Sequence, residues 1–573
     1  MVTYELTYVL IQDISYNNEI SSISSVSNSG LVRILLRTSN HYSASVRHGY
    51  EHLKSSSTRQ WRPLSANQVS RKISKPTRAC PVPGQRARST HAAIEAVYEG
   101  PTIRPWEDVP GPKPLPLLGN TWRFAPYIGN YSVEHVDKVC LSLRARYGEC
   151  VKMAGLLGRP DMLFVFDAGE VERVFRGEDI APHRPSMPSL NYYKHVLRKD
   201  FFGAEENCAG VIAVHGESWA AFRSKVSRVA LSAGAAAQYQ TPVAEVADAF
   251  VERVRDTRNE DSETPGDFLN EVHKWSLESL GLIALDTRLG CFEASAGSES
   301  QQLIDAVNTF FLCVGELELR APWWRIYPTT MFKRYVAALD TILGVTLSHV
   351  ERSLQQSGSR SSLLRELVDA AGKRVAAVAA LDMFLVGIDT TSNAVASTLY
   401  QLSLRPDVQK RLHDEVTKVL HGRPMQPGDV NQMPYLKACV KEVLRMYPVV
   451  IGNGRQLTKD TVICGYNIPK GTQVIFQHYV MGNSEEYFSD AASFRPERWL
   501  RGCPLKHHPF ASLPFGFGKR MCLGRRFAEL EIHTVVCKMI QAFKLEYHHA
   551  PLEYHVHPMY TPNGPIRLKL IDR

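Results

Sequence analysis

Cys522 stands between glycines in Phe515-Gly516-Phe517-Gly518-Lys519-Arg520-Met521-Cys522-Leu523-Gly524, just ahead of a helical run from Arg525 to Phe543. A cysteine placed there has two fates. It can be an inert buried thiol, as free cysteines often are. It can also be a thiolate ligand to a metal. The glycines let the backbone turn tightly and pass close to a flat macrocycle. N–H groups at the helix start, together with the helix dipole, favour the sulfur anion. A second reactive stretch is Gly387-Ile388-Asp389-Thr390-Thr391-Ser392, which falls inside a long run of helix formers from Leu363 to Leu404. Gly, Asp and Thr are poor mid-helix residues. Their run predicts a local opening, where the Thr390 hydroxyl could bond a small ligand and Asp389 could relay protons. The plainer alternative is that Thr390 bonds back to a carbonyl one turn earlier.

Other residues could hold a carboxylate. Trp219 and Arg223 are at i and i+4 and share a helix face. An Arg fork with an indole N–H beside it suits a carboxylate partner. Glu442 and Arg445 are at i and i+3 on a helix ended by Pro448, and Arg498, in Phe494-Arg495-Pro496-Glu497-Arg498-Trp499, offers a third member. A carboxylate buried with two guanidiniums needs every donor placed. Lys437 and Lys441 lie one turn apart on the same helix, and Arg525 and Arg526 follow the cysteine. Together they form a basic patch: either a solvated face, or a dock for a small acidic electron donor steered by charge.

The elements that must position these groups are mostly helical. A helix is predicted over 133–147, with short strands at 151–153 and 162–166. Residues 182–210 read as an irregular stretch mixing aromatic and basic side chains, and such loops tend to carry function. Residues 240–350 read as helical with breaks near 295–300 and at Ala321-Pro322-Trp323-Trp324. Phe310, Phe311, Trp323 and Trp324 could roof a cavity, pack in a core or touch a membrane surface. The fold class is mainly α with a small β-rich lobe.

Phe515, Gly518, Arg520, Cys522 and Gly524 match the haem-binding signature of the cytochrome P450 family in type and spacing. The chain resembles that family from about Pro105 to Arg573. The resemblance implies haem b between a long oxygen-side helix and a cysteine-loop helix, with Cys522 as axial ligand and Phe515 and Gly518 beside the macrocycle. It implies that Trp219, Arg223, Arg455 and Arg520 hold the haem propionates. It makes Gly387, Asp389 and Thr390 the oxygen-activation motif, with Val386 where alanine or glycine is usual. It makes Glu442, Arg445 and Arg498 a structural triad, and sets the 182–210 stretch over the distal haem face. The implied activity is monooxygenation: one oxygen atom from O2 enters a hydrophobic small molecule such as a steroid, lipid or xenobiotic. An electron-independent haem-thiolate isomerase or dehydratase is the alternative in the same fold, and it would not need the Asp389–Thr390 pair. A non-catalytic haem or lipid carrier is a third reading.

Composition narrows the setting. With 44% hydrophobic and 22% charged residues, the 573-residue chain resembles an ordinary globular protein. It has no apolar run of eighteen residues or more, so no transmembrane helix is expected. Eleven cysteines are scattered without a CxxC pair, which argues against a disulfide scaffold or a zinc site. Of the net charge of +9, residues 1–100 carry +6, from twelve Lys/Arg against six Asp/Glu. A nucleic-acid reading would rest on that head, and the head has a better explanation. Residues 21–94 are Arg-rich, Ser-rich and nearly acid-free, the description of a mitochondrial transit peptide. Residues 1–20 carry Glu5, Asp13 and Glu19 and no basic residue; a translation start assigned too early would account for them. Residues 1–100 are therefore read as a transit peptide or disordered leader and 101–573 as the catalytic domain, entered through the proline cluster Pro105–Pro114. The leader and the basic patch together resemble the mitochondrial P450s, and the region around residues 380–387 and the cysteine loop look most like arthropod members. That resemblance implies an adrenodoxin-like ferredoxin with ferredoxin reductase as donor system, and peripheral membrane association on the matrix side of the inner membrane. A microsomal-type P450 served by a diflavin reductase is the competing reading.

Overall fold

The computed structural model describes residues 103–573 apart from 126, 185–186, 233, 294–297, 356–361, 506 and 557–558. The expectation for residues 1–100 lies outside the described residues. The main helices are α1 (Val136–Tyr147), α2 (Ala168–Arg176), α3 (Gly216–Ala230), α4 (Gln240–Thr257), α5 (Phe268–Leu285), α6 (Glu299–Leu319), α7 (Thr330–Gln355), α8 (Leu363–Ala371), α9 (Lys373–Ser403), α10 (Pro406–Leu420), α11 (Pro434–Met446) and α12 (Arg525–Ala542).

α9 is the axis. Almost every residue from Val375 to Ser403 is buried, because the helix is apolar nearly all round and is covered by α5, α7, α8 and α12. Its length and composition would let it cross a membrane, but the surrounding helices bury it instead. α5 is buried on almost every side as well. Gly387 is what lets the two approach: a Cβ there would come 3.2 Å from a Leu280 methyl.

The long helix expected over 363–404 is two helices. Gly372, at φ +89°, ends α8 and starts α9. α9 then runs through Gly387–Ser392 without a backbone break, so the expected opening is not made by the main chain. The helical stretch 240–350 has a further interruption between α4 and α5, where Thr264 N–H donates to the Leu568 carbonyl and docks the carboxy-terminal chain.

The β lobe is a four-stranded sheet in the order β1 (Cys150–Met153), β2 (Met162–Val165), β6 (Gln473–Phe476), β3 (Asn453–Gln456), with a hairpin of β4 (Thr461–Ile463) and β5 (Tyr466–Ile468) beside it in sequence. β2 and β6 are parallel and the other two pairings antiparallel; Arg455 of β3 sits opposite Val474. A second core lies against this sheet, including Leu163, Val165, Phe175, Phe476 and Phe510. Phe517 of the cysteine loop packs on it, 4.7 Å from the Phe510 ring centre.

The aromatics divide. Phe310, Phe311 and Trp324 are core, Trp324 stacking on Phe332 at 5.2 Å, whereas Trp323 is half exposed. The 182–210 stretch folds into short turns of helix. Lys194 within it is fully buried and donates to Asp382 of α9 at 2.9 Å and to the carbonyls of Ala209 and Ile212. Asp382 in turn accepts from Val211 N–H at 2.6 Å, so this segment is bonded to the central helix.

Candidate functional site

The cysteine loop is shaped by its glycines. Gly516 and Gly518 have φ of +70° and +72°, the left-handed region that L side chains resist. They curl the chain so that Cys522 N–H donates to the Phe515 carbonyl at 2.9 Å, closing the loop. A Cβ on Gly518 would press within 3.3 Å of a Glu178 oxygen. The Cys522 residue is accessible. Burial pushes its thiol up; the Gly524 N–H and the charges of Arg223, Arg184 and Arg525 pull it back toward the anion.

Around the cysteine loop guanidiniums converge. Arg223, one turn after Trp219 on α3, donates to the Met521 carbonyl at 2.7 Å. Arg520 lies over the Trp219 ring at 3.6 Å and donates to the Pro182 and Val214 carbonyls. Arg455 pairs with Glu178. Arg184, missed as a site residue from sequence, joins them. Burial and the neighbouring Arg455 pull it down to about 10, and burial with Arg184, Arg455 and Arg223 pulls Arg520 down to about 9. Arg455, which is buried, and the half-buried Arg184, Arg223 and Arg520 stand with one carboxylate, Glu178, among the described residues that act on them, a cluster in want of an anion. Two propionates beside an iron would meet that want, and the thiol supplies the soft ligand. The residues present fit a haem. The sequence signal for Arg184 was its place in a basic, aromatic loop, which does not distinguish it from its neighbours.

On α9, Thr390 donates its hydroxyl to the Val386 carbonyl at 2.8 Å, the helical back-bond posed as the plain alternative. Asp389 is buried. Its Oδ1 accepts from the Asn393 amide at 3.0 Å, and His273 Nε2 of α5 lies 3.4 Å from the same oxygen.

Glu442, Arg445 and Arg498 come together with no solvent access to the carboxylate. Arg445 bonds Glu442 through Nε at 2.9 Å and Nη2 at 2.8 Å, and Arg498 Nε donates at 2.9 Å. Two further donors went unread in the sequence: the Trp499 indole at 2.8 Å and the Arg495 main-chain N–H at 2.9 Å. Glu531, one face around α12, was missed altogether. Burial pushes its carboxyl up to about 8 beside Ser279, and its Oε1 has no partner.

The basic residues are only partly unengaged. Lys441 is exposed, and Lys437 bonds Asn431 at 2.9 Å. Arg525 pairs with Glu529, and Arg526 donates to the Ser232 carbonyl at 2.8 Å. Burial and the neighbouring Lys441 lower Lys437, against the pull of Glu529. The group holds four cations and, among the residues paired with them, one carboxylate.

A thiol in a glycine-turned loop at a helix start, facing a cluster of guanidiniums that needs an anion, defines a haem-thiolate protein. Residues 109–570 match the sequence profile of the family described as Cytochrome P450. Relatives agree. The chain is 47% identical over 523 residues to a Drosophila melanogaster protein named "Probable cytochrome P450 49a1", covering 87% of this chain and 86% of that protein. It is 46% identical over 508 residues to "Probable cytochrome P450 301a1, mitochondrial" of the same organism, covering 86% and 91%. It is 34% identical over 496 residues to "Probable cytochrome P450 12a5, mitochondrial", covering 82% and 91%. The chain belongs to the cytochrome P450 family, the mainly helical haem-thiolate monooxygenases whose iron has a cysteine thiolate as axial ligand.

Proposed function

We propose that this chain is a mitochondrial P450 that oxygenates a hydrophobic small molecule, with electrons from a ferredoxin kept reduced by ferredoxin reductase. The reaction is R–H + O2 + two electrons + two protons giving R–OH + water. The observation that carries the reading is Cys522, an accessible thiol in a glycine-turned loop with the charges of Arg223, Arg184 and Arg525 acting on it. Bound haem would supply oxygen activation, and the thiolate of Cys522 would push electron density toward it. The chain's own work is then positional. Trp219, Arg223, Arg455, Arg520 and Arg184 would hold the propionates. Phe515 and Gly518 would shape the loop beside the haem, and the Gly524 N–H would steady the sulfur. Asp389 would take and release a proton, and the Thr390 hydroxyl, bonded to the Val386 carbonyl in this structure, would be the donor on the oxygen side. Gly387 keeps α9 close to α5. Glu442, Arg445 and Arg498 fix the segment behind the cysteine loop.

Placement in the mitochondrion draws on the printed names of the second and third relatives and on the basic, Ser-rich leader. Lys437, Lys441, Arg525 and Arg526 are assigned to ferredoxin docking, where an excess of positive charge would steer an acidic donor. Peripheral association with the matrix face of the inner membrane draws on apolar side chains left in the open. Leu117 is 97% exposed and Ile326 77%, with Leu115, Ile128 and Tyr327 also exposed. Arg159, beside the exposed Leu157, donates to the Arg320 carbonyl at 2.9 Å and ties this amino-terminal region to the turn before Ile326.

The test is the reduced, CO-bound spectrum of the haem-loaded chain. The wild type should give the strongly red-shifted Soret band of a thiolate ligand, and Cys522→Ala should lose it completely. A red-shifted band retained in Cys522→Ala would defeat the ligand assignment. Turnover supported by ferredoxin and its reductase, but poorly by a diflavin reductase, is expected; the reverse preference would defeat the mitochondrial assignment.

A further inference from the structure

We propose that His273 exchanges protons with Asp389 and forms part of the route by which protons reach the oxygen-side helix. The inference rests on the reading of Asp389 as the proton-delivering acid.

His273 is buried on α5, and its Nε2 lies 3.4 Å from Asp389 Oδ1. That nitrogen has no hydrogen-bond partner, and a buried unpaired nitrogen is costly unless it is used. The register that brings the two together is fixed on both sides of the pair. Ser276 Oγ donates to the Ile388 carbonyl at 3.2 Å, Ser392 Oγ lies 3.4 Å from the Val272 carbonyl, and Gly387 admits Leu280. The seam between α5 and α9 therefore cannot slide without breaking these contacts, and His273 stays opposite Asp389.

Asp389 has two neighbours of different chemistry. The Asn393 amide donates to Oδ1 at 3.0 Å, and an amide can orient a carboxylate but cannot give it a proton. An imidazole can take a proton at one nitrogen and release one at the other. Glu531 of α12 reaches α5 further along, at Ser279, and other buried charges on α5, α9 and the loop over them are paired with one another. Lys194 is bonded to Asp382, and on α5 itself Glu271 is bonded to Lys274 and to Arg253 of α4. His273 is left with an unused nitrogen 3.4 Å from the acid.

The step moves a proton only. The Nε2–H bond breaks as the Oδ1–H bond forms while Nδ1 takes a proton from hydronium, so the Nε2–H imidazole and the carboxylate become the Nδ1–H imidazole and the carboxylic acid, and the hydronium becomes water. Asp389 passes that proton on toward Thr390, and proton exchange with water returns His273 to its Nε2–H tautomer. No electrons are transferred.

The experiment uses the haem-loaded full chain with the donor system that supports wild-type turnover, and needs no identified substrate. Oxygen consumed and hydrogen peroxide released are measured in H2O and D2O for His273→Gln, His273→Phe, Asp389→Asn and the double variants. Retention of the red-shifted CO spectrum certifies the fold of each. Both His273 variants are expected to lower the share of oxygen reduced beyond peroxide by on the order of tenfold and to enlarge the solvent isotope effect. Adding either to Asp389→Asn should make nothing worse, since the two residues act in series. An infrared carboxyl band, assigned by its loss in Asp389→Asn, should shift in His273→Phe. His273→Gln matching the wild type would overturn the proposal, because a fixed donor would then suffice. Both His273 variants matching the wild type while Asp389→Asn is impaired would overturn it too and leave the role of Asp389 standing. Asp389→Asn matching the wild type would remove the acid reading itself, and the proposal with it.

Discussion

Glu442 and Asp389 are both carboxylates buried on helices near the site, and they are held in opposite ways. Five donors converge on Glu442: Nε and Nη2 of Arg445, Nε of Arg498, the Trp499 indole and the Arg495 N–H. Asp389 accepts one side-chain amide bond, from Asn393, with a histidine nitrogen nearby that makes none. A saturated carboxylate cannot accept a proton without losing bonds, and its partners are stranded if it is removed. An under-bonded one can change protonation state at small structural cost. The first arrangement suits a scaffold and the second suits chemistry.

Removing the scaffold carboxylate should have the largest effect on stability. Glu442→Ala leaves two buried guanidiniums uncompensated and should cost about 3–5 kcal/mol. A lowered urea midpoint of the haem-loaded protein would record it, and an unmoved midpoint would erase the contrast. Asp389→Asn should leave that midpoint within about 1 kcal/mol of the wild type, since the Asn393 amide keeps an acceptor. Its turnover should nevertheless fall by roughly tenfold or more, read as substrate-free oxygen consumption.

Glu531 sharpens the comparison as a third case, a buried carboxyl with almost no partner. Burial raises it to about 8 in the folded protein. A folded value above the unfolded one contributes stability that is complete below the unfolded value and is lost as pH rises through the folded value. Glu531→Gln cannot ionise and escapes that loss. The melting temperature of the variant should therefore gain on the wild type as pH rises from about 5 to about 9. A constant difference across that range would mean that Glu531 is not held neutral. The smallest structural effect belongs to Lys441→Glu. The exposed site should leave the midpoint within about 0.5 kcal/mol. Stopped-flow reduction by ferredoxin should slow by on the order of tenfold, the difference shrinking with added salt.

Much of this arrangement was legible in the residues. Cys522 and the Glu442–Arg445 pair lie in short local patterns whose spacing already puts the partners together, and helix α11 delivers the pair as read. Residue-level patterning also located α9, but not its start. Leu363 to Leu404 reads as one run, and only the backbone angle at Gly372 divides it. The expected opening at Gly387–Ser392 is absent from the main chain because Thr390, Ser392 and Asn393 each bond back to a carbonyl one turn earlier. Arg184, Glu178 and His273 went unread for one reason. Each acts on a residue more than a hundred positions away, and no local spacing encodes which loop or helix will face which. Trp499 differs: it sat inside a motif already singled out, and its indole was a donor waiting for the carboxylate next door.

The cluster of Arg184, Arg223, Arg455 and Arg520 bears on how the protein matures. Like charges are held close together there with Glu178 beside them, and burial lowers the pKa of each. On the proposed assignment, the two propionates of a haem would be their counter-ion. Whatever binds only the folded form adds its binding free energy to stability. A haem held there would stabilise the fold it binds, so the haem-loaded chain should resist proteolysis longer than the haem-free chain.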